Sequence, residues 1–272
     1  MPWPFRREPV VIGVIHLPPL PGSPRGGNVE RAVDSALRDA AALEEGGVDG
    51  VIVENLGDAP YAGTDVPKAT VAAMTRVVSE VVSSVEVPVG VNVLRSDGVA
   101  AVDICAATGA EFVRVNAYVE ALATDQGLLN PVARDVIAER RMLGLEGDVA
   151  ILADVRVKHA SPLDDRPLEE VVADAVERGL ADAVIVTGSR TGSPADPEDV
   201  RRASSVVERI LVGSGVTPEN VGGFLKSGAV GFIVGTWFKR GGDVSSPVDP
   251  SRVRELVETV RGFGRAKSDH GG

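Results

Sequence analysis

Ten polar or charged residues stand at or just after the ends of short apolar runs rich in valine and isoleucine. Such runs are typical of buried parallel strands, and the carboxyl ends of parallel strands meet at one edge of a sheet or one face of a barrel. We therefore expect these side chains to gather around one candidate site. They are His16, Glu54, Asn55, Asn92, Arg114, Asn116, Asp154, Arg156, Lys158 and Thr187.

The spacing within two of these segments predicts which side chains face the same way. In an extended chain, alternate residues point to the same side. Asp154, Arg156 and Lys158 should then present a carboxylate, a guanidinium and an amine to one mouth. Arg114 and Asn116 should share a face by the same rule.

This set of groups suits proton transfer next to a carbonyl, the chemistry of an isomerase or a lyase. Asp154 is the expected general base, with His16 or Glu54 as the acid partner. Lys158 and Arg156 would stabilise the developing oxyanion. Lys158 as a Schiff-base nucleophile is an alternative, since a neighbouring cation lowers the pKa of an amine. Binding an anion is the more ordinary use of such a pair.

Structural interpretations stand beside each of these assignments. Glu54 and Arg114 could simply pair across neighbouring strands. The asparagines at positions 55, 92 and 116 could satisfy loop backbone groups, and Asp154 could cap a turn. His16 could hydrogen-bond the proline-rich loop that follows it.

A metal site is a weaker interpretation of the same residues. His16, Glu54 and Asp154 come from separate predicted strands and lack a local ligand-spacing motif. We therefore expect neither a metal nor a cofactor.

A pair of glycine-rich turns, in the segments 210–220 and 229–237, resembles a phosphate-binding device. Each follows a short apolar strand, and glycine lets backbone N–H groups approach an anion closely. We expect Thr217 to cap a helix that begins at Pro218. Glycines that merely make tight turns are the structural alternative. The candidate phosphate-binding residues are Gly213, Ser214, Gly215, Gly235 and Thr236.

The elements that must position these residues alternate along the whole chain. About eight apolar strands, each followed by a helical pattern or a loop, predict a (β/α)8 TIM barrel. An open, doubly wound sheet is the alternative, but its glycine-rich loop would follow the first strand, where this chain is proline-rich. The predicted strands are 10–15, 50–53, 87–93, 111–116, 148–154, 183–186, 210–213 and 229–234, and the predicted helices are 28–45, 68–83, 97–107, 131–142, 168–178, 199–208, one from 217 and 250–263.

Two loops are expected to control access to the site. The segment from His16 to Pro24 should be a fixed wall because prolines preset its backbone. The segment from Ala117 to Asn130 is long for a connection and should be a mobile lid, with Tyr118 and Glu120 closing over the mouth. A surface loop with no gating role is the alternative.

Composition limits the classes of function. The 272 residues carry a net charge of −11, which argues against nonspecific binding of nucleic acid. No apolar run approaches the ~20 residues of an integral membrane segment. The single cysteine, Cys105, lies in an apolar run and should be a buried core thiol, which indicates a reducing, cytoplasmic compartment. We expect one domain over residues 1–272, with a polar tail from about 264, that binds a small phosphorylated metabolite; a homo-oligomer is left open.

A recognisable pattern runs through the segments 13–24, 49–55, 88–95, 114–116, 151–162, 234–236 and 247–250. These segments resemble the BtpA family, which is grouped with ribulose-phosphate-binding barrels. They span almost the full length, and the proline-rich loop of the first is the most specific. Arg156 stands where many relatives are expected to carry histidine, so no role at that position should need an imidazole. The resemblance implies a barrel and, because the family is named for a photosystem I biogenesis factor, an alternative function as a non-catalytic assembly factor for a membrane complex.

Overall fold

The computed structural model describes residues 2–188, 190 and 192–268, with side chains up to Phe263. Ser189 and Thr191 lie outside the described residues, as does the end of the expected polar tail.

Eight parallel strands close into a barrel, which confirms the predicted (β/α)8 fold. Their near-continuous apolar sequences are buried because helices cover the outside while side chains fill the inside. Around the barrel the strands follow one another as β1 (Val10–His16), β2 (Gly50–Glu54), β3 (Val89–Asn92), β4 (Phe112–Val115), β7 (Ala150–Val155), β9 (Ala183–Val186), β10 (Ile210–Val212) and β11 (Gly231–Val234).

Along the described residues, α-helices connect these strands or follow the last one. Asn28 and Asp97 cap two of these helices, since their side chains accept the N–H groups of Arg31 and Ala100. After Ala173 one of these helices continues as a π-helical segment, Asp174–Arg178. The helices are α1 (Val29–Glu45), α2 (Lys68–Ser84), α3 (Gly98–Thr108), α4 (Ala133–Met142), α5 (Leu168–Ala173), α6 (Pro197–Ser204), α7 (Val221–Lys226) and α8 (Pro250–Ser268).

The helix expected from Thr217 is the least accurate of the predictions. The Asn220 side chain accepts the N–H of Thr217 at 2.9 Å and donates to the carbonyl of Gly215 at 2.8 Å. These bonds hold a turn over 217–220, so α7 begins only at Val221 and is six residues long. The local bonds of one asparagine side chain outweigh the capping pattern of Thr217 and Pro218.

Within the segment from Ala117 to Asn130, expected to be a mobile lid, the chain forms a hairpin. Strands β5 (Leu122–Thr124) and β6 (Gly127–Leu129) pair around a tight turn, and β8 (Ala160–Pro162) adds a third antiparallel strand to them. Leu122 and Leu129 pack with Val157 in a small core of their own. Buried apolar contacts and ladder hydrogen bonds therefore fix this segment.

The interior of the barrel is closed at its amino-terminal end. Phe5 packs against Phe112 with ring centroids 5.3 Å apart, and Trp3 lies against Phe5 on the outer side. The polar ends of the strands thus face the opposite, open end of the barrel.

Cys105 is buried on α3, as expected, and burial raises the pKa of its thiol.

A buried ion pair joins the beginning of the barrel to its end. Lys239 follows β11 and donates to the Asp39 carboxylate on α1, and both residues are almost fully buried. The other carboxylate oxygen of Asp39 accepts the N–H of Val248 at 3.1 Å. This pair fixes the segment that lies beside the second glycine turn.

Replacing Lys239 with methionine should lower the free energy of unfolding by about 3–5 kcal/mol, because it leaves the Asp39 charge buried without its counter-ion. Urea unfolding at neutral pH measures this loss. The control is Glu80→Gln, which removes an exposed i,i+4 pair with Arg76 and should change the free energy of unfolding by less than about 0.5 kcal/mol. Equal stabilities of the two variants would contradict the assigned role of the Lys239–Asp39 pair.

Candidate functional site

The strand register brings the predicted site residues together at the open end of the barrel. His16 lies beside Glu54, and Glu54 lies beside Asn92, in the register of β1, β2 and β3. Two cavities open here, one of about 250 Å³ towards the glycine turns and one of about 440 Å³ towards β3. We call them the near lobe and the far lobe. Both are lined by Glu54, Leu56, Arg114 and Lys158.

A buried network of hydrogen bonds forms the floor between the lobes. Arg114 donates to both oxygens of Asp154, from Nε at 3.0 Å and from Nη2 at 2.9 Å. Asn116 donates to the same carboxylate at 2.7 Å, and Asn92 donates to the Asn116 side chain at 3.0 Å. Arg114 and Asn116 therefore share a face, as the alternation predicts.

Glu54 is the carboxylate that faces the cavities directly. Its oxygens lie 3.8 Å from Nε2 of His16 and 3.9 Å from Nη1 of Arg114, which is too far for hydrogen bonds. Among the described residues, no side chain or backbone N–H donates to this carboxylate within hydrogen-bond distance. A carboxylate in this position can accept a proton or a hydrogen bond from a bound molecule.

His16 is held as a neutral imidazole. Burial is the main cause that lowers its pKa to about 3, and the nearby charges of Lys239 and Lys158 lower it further. Its Nδ1 is buried and has no hydrogen-bond partner among the described residues. A Cβ at Gly235 would come within 2.7 Å of the His16 ring, so only glycine leaves room for the imidazole there.

Lys158 is a half-buried amine on the wall that the lobes share. Burial and the neighbouring Arg114 charge lower its pKa from the ordinary lysine value. Within the described part of the chain, no carboxylate lies within 4.0 Å of its ammonium. The backbone N–H of Lys158 donates to Thr187 Oγ1 at 3.1 Å, which fixes this turn after β7.

Arg156 does not face the mouth, so the predicted alignment with Asp154 and Lys158 is wrong. Its backbone φ is +49°, which ends the extended alternation immediately after β7. Its side chain lies 3.5 Å from Glu120 and donates to the carbonyl of Arg166, away from both lobes. No role in stabilising an oxyanion follows from this position.

Tyr118 and Glu120 are also placed differently from the expected lid. The Tyr118 hydroxyl donates to the carbonyl of Gly179 on the outside of the barrel, and the ring is buried. Glu120 is buried and accepts the N–H of Arg156 at 2.8 Å. Neither side chain is free to close over the mouth.

The two glycine turns line the near lobe, as the sequence predicts. Among the described residues, the backbone N–H groups of four turn residues donate to no acceptor. These residues are Ser214, Gly215, Gly235 and Thr236. The N–H of Gly213 donates to Val186, and the Ser214 hydroxyl donates to Ser193, so these two groups are structural. The available donors thus come from the backbone of the turns and not from the short helix α7.

Arg252 on α8 is a site residue that the sequence did not indicate. Its guanidinium carbon lies 4.0 Å from the centre of the Trp237 ring, and its Nε donates to the Trp237 carbonyl at 2.6 Å. Both residues line the near lobe beside Gly235. The helical pattern of α8 gives no signal for this contact, because it depends on how the helix packs.

Two kinds of feature are absent from the described residues. They contain no group of three or more His, Cys, Asp or Glu side chains arranged to hold a metal ion. The trio His16, Glu54 and Asp154 therefore does not form such a group. They also contain no helix that is long and apolar enough to cross a membrane.

The fold and site define a closed (β/α)8 barrel whose glycine turns and polar strand ends surround two cavities with a shared wall. Among solved structures, the barrel is similar to thiamine phosphate pyrophosphorylase from Pyrococcus furiosus, with a TM-score of 0.58 at 17% identity over 93% of this chain and 96% of that one. It is also similar to N-(5'-phosphoribosyl)anthranilate isomerase from the same organism, with a TM-score of 0.55 at 15% identity over 93% and 98% of the two chains. These similarities support the fold.

The chain belongs to the BtpA family, whose model matches residues 7–262. It is 46% identical to an uncharacterized protein of Pyrococcus furiosus, over 93% of this chain and 95% of that one. It is 44% identical to the photosystem I biogenesis protein BtpA of Synechocystis, over 94% and 89% of the two chains. The resemblance seen in the sequence is confirmed.

The buried neutral His16 should make stability depend on pH. Its pKa is lower in the folded chain than in the unfolded chain, so unfolding takes up a proton between pH 3 and 6.5 and stability falls as the pH falls through that window. Between pH 7.5 and 5, the free energy of unfolding of the wild type should fall by ~2 kcal/mol because of this group. His16→Gln should not show this part of the loss. Urea unfolding of both proteins at the two pH values measures the difference, and parallel losses would contradict it.

Proposed function

We propose that this protein is an enzyme that binds a phosphorylated, sugar-like substrate and transfers a proton next to its carbonyl group, as an isomerase or a lyase does. The observation that carries the proposal is the set of unused backbone N–H groups in the two glycine turns, beside Arg252. Backbone donors and a guanidinium on one wall are the usual means of holding a phosphate. The two enzymes of similar fold, whose names both refer to phosphorylated compounds, support this proposal only by analogy.

The near lobe would hold the phosphate. Ser214, Gly215, Gly235 and Thr236 supply N–H donors from two neighbouring strands, and Arg252 supplies the charge. Trp237 keeps the Arg252 side chain in place by stacking under it and accepting its Nε–H. A phosphate held here leaves the rest of the substrate lying over Glu54 and Lys158.

Glu54 is the general base in this proposal. It faces both lobes and accepts no hydrogen bond from the described residues, so its lone pairs are available to a substrate proton. The sequence favoured Asp154 for this role, but that carboxylate is saturated by Arg114 and Asn116 and its side chain is fully covered. Asp154 acts as a positioning residue that fixes the Arg114 guanidinium.

Three groups would stabilise the oxyanion that forms when the proton leaves. Lys158 and Arg114 place positive charge beside Glu54. The neutral His16 imidazole lies next to the same carboxylate and can donate a hydrogen bond without bringing another cation into the site. Asn92 and Asn116 support the floor through their own hydrogen bonds.

A second candidate function is a non-catalytic role in assembling a membrane complex. The observation that favours it is the 44% identity to a photosystem I biogenesis protein. Under this function the barrel would bind a partner, and alanine at both Asp154 and Lys158 would preserve the biological role while the fold stays intact. Under the enzymatic function, the same alanine variants lose the biological role although they still fold.

Replacing Arg252 with methionine should weaken phosphate binding at least about tenfold, because it removes the cation of the near lobe. The probes are ribose 5-phosphate and inorganic phosphate, with ribose as the compound lacking the anion, and the measurement is titration calorimetry. Arg254→Met is the matched control, since Arg254 lies two residues further along α8 and pairs with Glu45 on the surface. If ribose binds as well as ribose 5-phosphate, or if both variants bind alike, the phosphate site is wrong.

Replacing Glu54 with glutamine should slow proton transfer by about a hundredfold or more, since glutamine keeps the shape but cannot accept the proton. Exchange of the hydrogen next to the carbonyl of ribulose 5-phosphate, followed by NMR in D₂O, measures the step. Asp154→Asn tests the competing assignment and should alter substrate affinity more than the pH dependence of exchange. Exchange that survives in Glu54→Gln but is abolished in Asp154→Asn would return the role of base to Asp154.

A further inference from the structure

The far lobe is a second binding space that the phosphate proposal does not use. It shares one wall with the near lobe, through Glu54, Arg114 and Lys158, and extends away from the glycine turns towards β3. Its far side is lined by Arg95, Tyr61 and the hairpin residue Asp125, among others. A molecule whose phosphate lies in the near lobe could therefore reach Arg95 across the catalytic floor.

Arg95 is a buried guanidinium with unused donors. The side chain lines the far lobe, although the residue is only 4% exposed. One nitrogen donates to the carbonyl of Lys158, while the Nε–H has no acceptor among the described residues. A guanidinium carries five N–H donors, and leaving them unpaired after removal from water is costly.

Arg95 also lacks a counter-ion in the structure. Among the described residues, no carboxylate oxygen lies within 4.0 Å of its guanidinium, and burial lowers its pKa from the ordinary arginine value. Lys158 on the shared wall likewise has no carboxylate within 4.0 Å among the described residues, and burial lowers its pKa. The site thus holds a guanidinium and an amine that no carboxylate of the described residues approaches within 4.0 Å.

The acidic groups around the far lobe do not fill this role. Asp154 is bound by Arg114 and Asn116, and Glu54 lies on the side of the lobe nearest His16 and Arg114. Asp125 is exposed to solvent, so its charge is screened. Among the described residues, Asp125 adds to this lobe a carboxylate that does not line the near lobe, and even a screened negative charge repels a dianionic phosphate more strongly than a singly charged carboxylate.

We propose that the far lobe binds a carboxylate of the substrate through Arg95 and Lys158, which makes the substrate a phosphorylated carboxylic acid. The proposal rests on the proposed function for the phosphate end alone. Two anions held at opposite ends fix the carbon chain over Glu54, which is the arrangement that proton transfer requires. Arg95 is then a specificity-determining residue of the site.

Two compounds that differ only at one end test this proposal. 6-Phosphogluconate has a carboxylate where glucitol 6-phosphate has a hydroxymethyl group, and both carry the same phosphate. The wild type should bind 6-phosphogluconate about tenfold or more tightly than glucitol 6-phosphate, measured by titration calorimetry. Arg95→Met should bring the two affinities to within about twofold and leave that of glucitol 6-phosphate unchanged. Arg134→Met, on the outer surface, is the control and should keep the wild-type ratio.

The outcomes separate this proposal from the phosphate site. Equal binding of the two compounds by the wild type overturns the carboxylate subsite and leaves the phosphate site standing. Gluconate binding that depends on Arg95, with no binding of glucitol 6-phosphate, supports the subsite and overturns the phosphate site. Tighter binding of glucitol 1,6-bisphosphate than of 6-phosphogluconate overturns the choice of a carboxylate. If no compound binds, both proposals are wrong.

The wild-type comparison does not depend on whether Arg95→Met folds. Should that variant fail to fold, Arg95→Lys keeps the charge but offers fewer donors in a different geometry. It should lower the preference for 6-phosphogluconate by an intermediate factor. An unchanged preference in a folded Arg95→Lys protein would show that Arg95 does not contact the carboxylate.

Discussion

The open end of the barrel depends on the buried ion pair between Arg114 and Asp154. A charge in this position is costly unless it is fully paired, and here two hydrogen bonds join the guanidinium to the carboxylate while Asn116 satisfies Asp154 further. The pair fixes β4 against β7 at the level where the strands end. Its geometry sets the position of the guanidinium that both lobes share and therefore the floor on which any bound molecule must lie.

Because Arg114 and Asn116 saturate Asp154, this carboxylate is not available as a partner for the other charged groups around the cavities. Glu54 carries no hydrogen bond from the described residues, His16 is neutral through burial, and Lys158 has no carboxylate within 4.0 Å in that part of the chain. The environment thus leaves one carboxylate acceptor, one neutral imidazole donor and one amine around the cavities. Acid–base chemistry needs such a division, since one group has to accept a proton while another donates a hydrogen bond.

The BtpA family and the structurally similar enzymes contribute different kinds of information. Membership in the family is shown by a match over nearly the whole chain, yet the named relative is a biogenesis factor and the name describes no reaction. The solved barrels share less than a fifth of their residues with this chain, so they support the architecture alone. Function depends on the residues of a site and not on the fold alone, and for this reason the proposals rest on Glu54, Arg252 and Arg95.

The sequence by itself determined the barrel, the ring of strand-end residues and the two glycine turns. These features follow from local rules: buried parallel strands are continuously apolar, helices and strands have fixed periods, and active-site residues end the strands. The same local rules failed wherever one residue changed the path of the backbone or one side chain satisfied a turn. The positive φ at Arg156 ended the alternation after β7, and the Asn220 side chain replaced the helix expected from Thr217 with a turn.

Only the tertiary structure decided which of the polar residues are available to a ligand. It showed that Asp154 is saturated while Glu54 is not, because contacts between β2, β4 and β7 are invisible in the order of residues along the chain. It brought Arg252 from the last helix and Arg95 from the loop after β3 to opposite ends of the cavities. Long-range packing sets burial, and burial sets which charges are left without partners, so these assignments could not be made from spacing alone.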